Sequence, residues 1–381
     1  MENQDTRSVK SYIKIIAAVL SALLAVAGVA FLFYSSVHQD PSAQLGAADV
    51  ITDEAFHAFV SDAISNAQQQ TTSLRKTFWI DEGQLPPEPN QNCFGETDDP
   101  ASLQWLLDDA AELLDGQETL FTTETKILQG SKVHYYLDET ILVIVWKENI
   151  DNFVYTISEI KVSDPSQFIR KISDDTVGSV TLYTTSQFAS MLNDVITCSA
   201  DYYMCREFGI VVYEGVVEYY YSGYSADTCF VDYDGNLILA PKRSFDSKES
   251  AQKFVDENNI RFSLAFGPIL VNNGVYSVPD FYGLGEPYDT YPRTALGQNG
   301  DLHYFFVCAN HEGNYTKSVT IREFALQLEK FGVEKFYTLD GGQTGAIVMN
   351  EEQINNPYHG FQRRVTDVIY FATAVPNANN G

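Results

Sequence analysis

The feature that most restricts this chain is Ile15–Tyr34, IIAAVLSALLAVAGVAFLFY, an apolar run interrupted only by Ser21 and closed by Tyr34. At about 1.5 Å per residue a helix of this length reaches about 30 Å, the thickness of a bilayer core. A helix apolar on every face has no polar side to turn toward water, so it does not suit a globular surface. Arg7, Lys10 and Lys14 precede the run, and His38 and Asp40 follow it. That charge order keeps the N-terminus cytoplasmic. A cleaved signal sequence has a shorter apolar region, about 7–15 residues, so the run reads as an uncleaved anchor. The expected arrangement is a cytoplasmic tail over 1–14, a transmembrane span over 15–34, and a C-terminal part outside the plasma membrane.

The exported part must fold without the membrane, and its composition permits that. Of 381 residues, 45% are apolar, with 23 Tyr and 24 Phe to fill a sizeable core. The formal charge of −27 excludes nucleic acid as a partner, because phosphate backbones are gripped by Lys and Arg. Five cysteines, Cys93, Cys198, Cys205, Cys229 and Cys308, cannot all pair within one chain. Their spacing matches no zinc knuckle. No metal site and no cofactor are expected, and the thiols read mostly as small buried apolar groups. A Cys198–Cys205 disulfide stays open.

Along the chain the texture changes once. Residues 35–130 read as a membrane-proximal linker and helical region of open compactness. Thr52–Gln70 and Leu103–Leu114 have helical spacing, and Leu85–Pro100 (LPPEPNQNCFGETDDP) reads as a loop or extended spacer. From Lys132 the chain is rich in β-branched and aromatic residues. Val133–Tyr136, Thr140–Trp146 and Phe153–Val162 predict strands. Hairpins are expected at Glu214-Gly215 and, with the stronger signal, at Asp234-Gly235-Asn236. Helices are expected over Ser186–Leu192 and Lys248–Glu257, and a third begins at Thr320, where Thr320 and Glu323 form a capping box and Gly332 ends the pattern. Helices set among antiparallel strands predict an α+β class, with mixed or antiparallel sheets and a few packed helices after the transmembrane helix. The domain is expected over 131–373, with a short tail over 374–381.

Chemistry concentrates in Tyr337–Asn350, YTLDGGQTGAIVMN, where Asp340 ends an apolar run and two glycines follow at once. Glycine tolerates positive φ and lets backbone approach a ligand. Successive N–H groups in such a turn form an anion-binding nest, and Thr344 adds a hydroxyl. A plain turn between strands is the other reading of these residues. Three more segments accompany it: Ser199–Arg206 (SADYYMCR), Ala265–Gly274 (AFGPILVNNG) and Tyr291–Gln298 (YPRTALGQ).

In order and spacing these four segments resemble the motifs of the phosphodiester glycosidase family, over roughly residues 131–371. The resemblance implies hydrolysis of a sugar-1-phosphodiester, here in an envelope glycan or polymer carrying sugar–phosphate linkages. It also implies roles. Arg293 is the phosphate fork, the amides of Gly341 and Gly342 assist, and Asp340 is the carboxylate beside the anomeric carbon. Asp201, Arg206 and Thr344 join the substrate-binding set. Glu323 does so too, although its capping role already accounts for it. Each has a structural alternative: Arg293 paired to a buried carboxylate, Asp201 holding a turn, Arg206 in a surface pair with Glu207. The chain also departs from the family pattern. Ser199-Ala200 stands where Asn-Gly is usual, Asn310-His311 where Asp-Gly is usual, and Gln343-Thr344 where Gly-Ser is usual. These departures leave a second reading, a non-catalytic relative that binds glycan or phosphosugar.

Overall fold

The stretch Ile141–Trp146 (ILVIVW) has no polar position, which suits a strand covered on both faces. The computed structural model describes residues 78–201, 209–221, 226–282, 288–310, 318–356 and 358–376, and it buries this stretch on both sides. The first strands are β1 (Phe94–Thr97), β2 (Val133–Leu137), β3 (Ile141–Ile150), β4 (Phe153–Val162) and β5 (Phe168–Ile172). Then come β6 (Ile196–Ser199), β7 (Ile210–Tyr213), β8 (Val216–Tyr220), β9 (Thr228–Asp232), β10 (Leu237–Ala240), β11 (Ile260–Leu264), β12 (Ile269–Asn272) and β13 (Val275–Tyr276). The last are β14 (Arg293–Gln298), β15 (His303–Asn310), β16 (Lys335–Leu339), β17 (Ile347–Met349), β18 (Glu352–Gln353) and β19 (Asp367–Phe371). The helices are α1 (Gln104–Asp109), α2 (Ala111–Leu114), α3 (Thr185–Leu192), α4 (Lys248–Glu257) and α5 (Ile321–Glu329).

Among the described residues every strand pairing is antiparallel. Nine strands form one sheet in the order β1-β2-β3-β4-β15-β14-β16-β12-β13, and five form a second, β18-β17-β6-β19-β5. Side chains alternate across β3 and β4. Ile141, Val143, Val145, Ile160 and Val162 enter a core shared with Ile196, Cys198, Ile347, Ile369 and Phe371 of the second sheet. There the rings of Phe168 and Phe371 stack with centroids 4.6 Å apart. Leu142, Ile144, Trp146, Tyr155 and Ile157 enter the opposite core, which Leu106, Leu113, Phe324 and Leu328 of the helices cover. Burying such side chains at about 25 cal/mol per Å² makes these two cores the main stabilising term. The class is therefore α+β.

Local signals explain most elements. Glu214 and Gly215 both take positive φ, the requirement of a two-residue hairpin turn, and β7 pairs with β8 around them. Asp232 Oδ1 accepts the N–H groups of Asp234 at 3.0 Å and Asn236 at 2.7 Å, closing the β9–β10 hairpin. In α5 the Thr320–Glu323 box is closed in both directions, and Gly332 follows with φ +73°.

The compactness left open for residues 35–130 is resolved from Phe78 onward. Lys76–Gly381 is one compact unit. The stretch 85–100, expected as loop or spacer, contributes β1, which pairs with β2. Buried Glu159 accepts the N–H groups of Leu120 and Phe121, each at 2.8 Å, and lies 2.8 Å from His303 Nε2. This segment therefore packs with the sheets. The expected tail, transmembrane helix and the linker up to residue 77 lie outside the described residues. Among those described, no helix is long and apolar enough to cross a membrane. Cys93, Cys198, Cys229 and Cys308 are free thiols; Cys205, the other half of the pairing left open, lies outside the described residues.

Candidate active site

Four chain segments meet where the two large sheets come together. Ser199, at the end of β6, donates its N–H to Ala346 O at 3.1 Å. The next carbonyl, Ala200 O, accepts the N–H of Asp340 at 3.0 Å. On the other side, Pro292 O at the head of β14 accepts the N–H of Gly342 at 2.9 Å. The Asp340 turn is thus clamped between both sheets by backbone hydrogen bonds.

The glycines follow from that clamp. A Cβ on Gly341 would run into Pro292 O, and one on Gly345 would sit 2.6 Å from Thr294 Oγ1. Gly342 has φ +60°, which L side chains seldom adopt. Gln343, where the family pattern has glycine, is absent from the positive-φ positions, so this departure costs no backbone strain. The Gly342 N–H is spent on Pro292. Those of Gly341 and Gln343 donate to no acceptor among the described residues, and both residues are half-exposed. The bare peptide dipoles of the turn are therefore at 341 and 343, not at 341 and 342.

Asp340 is 6% exposed. Its Oδ2 accepts a hydrogen bond at 3.0 Å from Arg363 Nη2, whose side chain is 42% exposed. The Arg363 N–H donates to Gln343 O at 2.9 Å, fixing this arginine to the same turn. Sequence reasoning missed Arg363, which stands in a loop without a motif. It also missed Asn355. That buried amide accepts from Ile347 N–H at 2.8 Å and donates to Gly345 O at 2.9 Å and to Cys308 Sγ at 3.3 Å. It positions the downstream arm of the turn.

The other expected residues are placed differently. Arg293 opens β14 and is buried; its Nη2 donates to Asp289 O at 2.6 Å and its Nε to Val319 O at 3.5 Å. These bonds turn its Nε and Nη2 to main-chain carbonyls, while its backbone lies against Gly341. Thr344 is buried and donates its hydroxyl to Gly341 O, stiffening the turn from within. Asp201 is buried, and its Oδ2 accepts the Ala265 N–H at 2.7 Å and lies 3.6 Å from Arg170 Nη2. Arg170 also holds Asp367, 2.7 Å from Nη2, and donates to Ser263 O. Glu323 caps α5, accepting from Thr320 N–H at 2.8 Å. Arg206 lies outside the described residues.

Thiol chemistry does not suit this site. Burial pushes the thiol of Cys198 well above its ordinary range and that of Cys308 to about 11, so neither supplies a thiolate near neutral pH. A cavity of about 420 Å³ lies elsewhere, lined by Arg170, Lys171, Tyr213 and Arg261, and it includes no residue of the Asp340 turn. Its lining mixes both charges, with Asp81, Glu82, Asp175 and Glu214 among the cations, which suits an anionic phosphodiester less well than the Asp340 turn.

The sequence model of the phosphodiester glycosidase family matches residues 195–372. No curated protein sequence matches the chain. Among solved structures, the chain resembles the catalytic domain of zebrafish N-acetylglucosamine-1-phosphodiester alpha-N-acetylglucosaminidase, auto-inhibited by its pro-peptide. The TM-score is 0.50 at 14% identity, over 61% of this chain and 83% of that one. A hypothetical protein from Synechocystis matches with TM-score 0.44 at 12% identity, over 65% of this chain and 64% of that one. At such identities the likeness to the zebrafish structure concerns the fold.

Proposed function

Because residues 195–372 of this chain belong to the phosphodiester glycosidase family, we propose that it hydrolyses a sugar-1-phosphodiester. In this reading the substrate is an envelope glycan or polymer with sugar–phosphate linkages. The protein is held in the plasma membrane by Ile15–Tyr34, its N-terminus cytoplasmic and its compact unit extracellular. The apolar run and the positive charges before it support that placement.

One observation carries the proposal: a buried carboxylate, Asp340, is ion-paired to a half-exposed guanidinium beside a turn with bare N–H groups. The reaction breaks the bond between the anomeric carbon and the phosphate oxygen. The electron pair leaves with the phosphate, and water supplies the new C–O bond. A phosphate monoester leaves without strong acid help, so the site must stabilise an oxocarbenium-like carbon and a departing anion. Asp340 supplies the negative charge for the first. The N–H groups of Gly341 and Gln343 suit the second, and buried Arg293 adds positive charge from behind the turn. Asp340 acts as nucleophile, base or electrostatic stabiliser.

The non-catalytic binding reading draws on Thr344, whose hydroxyl is turned to Gly341 O and away from a ligand. An assay separates the two. The full-length chain in mild detergent is offered a panel of sugar-1-phosphodiesters and free sugar is followed. Release of one sugar supports the hydrolase; binding without release supports the binder.

A further inference from the structure

Resting on that reading of the Asp340 turn, we infer that Arg363 is the residue that receives the substrate's phosphate. The sequence pattern pointed to Arg293, but that guanidinium is buried and donates to the carbonyls of Asp289 and Val319. A phosphodiester approaching Asp340 meets a buried negative charge, and like charges a few ångströms apart repel strongly where water is scarce. A cation must stand between them. Arg363 is placed for this at both ends. Its backbone N–H is bonded to Gln343 O at 2.9 Å, and its Nη2 to Asp340 Oδ2 at 3.0 Å, with 42% of its side chain open to solvent.

The chemistry of guanidinium fits the task. It carries five N–H donors in a planar fork matched to phosphate oxygens. Asp340 holds one edge of the fork in place, so less freedom is lost when an anion arrives. The bare N–H groups of Gly341 and Gln343 belong to the turn to which Arg363 is tied, so the phosphate is met by a side-chain fork and peptide dipoles together. Arg363 thereby acts as a specificity element, selecting an anionic leaving group over a neutral one.

The test uses glucose 1-phosphate, N-acetylglucosamine 1-phosphate and the two free sugars as probes, titrated into the full-length chain and its variants. The wild type is expected to bind at least one sugar phosphate and the free sugars far more weakly. Arg363→Ala should weaken the sugar phosphate about 10- to 100-fold, the loss of one or two charge-assisted hydrogen bonds. Arg363→Lys should recover part of it, keeping the charge without the fork. Arg364→Ala, at the neighbouring exposed arginine, should bind as the wild type does. Equal binding by Arg363→Ala at an unchanged melting temperature, an equal loss in Arg364→Ala, or no binding by the wild type overturns the inference. Turnover is read separately. Binding that depends on Arg363 without sugar release leaves this inference standing and defeats the hydrolase reading. Sugar release with unchanged KM in Arg363→Ala does the reverse.

Discussion

Arg170 and Arg363 each hold an aspartate next to Ser199–Ala200, and the two pairs have opposite surroundings. Arg170 is closed in on every side: Asp367, Asp201 and Ser263 O surround a guanidinium with no solvent exposure. Arg363 bonds Asp340 Oδ2 while 42% of its own side chain stays exposed. A pair sealed at both ends can only hold strands together, here β5, β19 and the end of β6. A pair whose guanidinium is partly exposed can be reached from solvent. The difference locates function on the turn and assigns Asp201, expected among the binding groups, to the framework.

Breaking the sealed pair should have the largest effect on stability. Arg170→Met leaves Asp201 and Asp367 buried without their cation, at a cost of about 3–5 kcal/mol, read as a lowered urea midpoint. A wild-type midpoint would dissolve the contrast between the pairs. Asp194 sharpens it from another side. This carboxylate, just before β6, is buried like Asp201, yet no cation pairs with it among the described residues; it accepts from the Thr197 hydroxyl at 2.7 Å and from its own backbone N–H. Burial raises it to about 7. The folded state then holds a proton that the unfolded state gives up, so its contribution to stability is full below about pH 4 and lost as the pH rises to about 7. Asp194→Asn should therefore be more stable than the wild type at pH 8, by ~2–3 kcal/mol, and about equal at pH 4. Urea unfolding at the two pH values checks this, and parallel behaviour would count against it. Thr320→Ala gives the smallest change, a loss of about 1 kcal/mol from an opened cap with sugar-phosphate binding intact. Lost binding would return Glu323 to the site.

Local features were legible before any coordinates. The capping box at Thr320, the turns at Glu214-Gly215 and Asp234-Gly235, and the unbroken apolar run of β3 each follow from residues close together in sequence. Asp340 with its glycines was legible for the same reason, since turn and carboxylate are adjacent. The direction of Arg293 was not. Its choice of acceptors depends on Val319 and Asp289, which tertiary packing brings to the head of β14. Arg363 was invisible because an exposed arginine in a loop carries no pattern until the fold sets it beside Asp340. The membership of residues 78–130 in the compact unit was hidden too, since it rests on long-range bonds such as Glu159 to Leu120 and Phe121.

The central claim is that Asp340 acts on a sugar joined to phosphate. Sugar release from the matching sugar-1-phosphodiester, measured for the full-length wild type beside Asp340→Asn, tests it most directly. The account predicts release by the wild type and a rate at least about 100-fold lower in the variant, with the melting temperature held within a few degrees. Undiminished release by Asp340→Asn, or none by the wild type from any such diester, would contradict it.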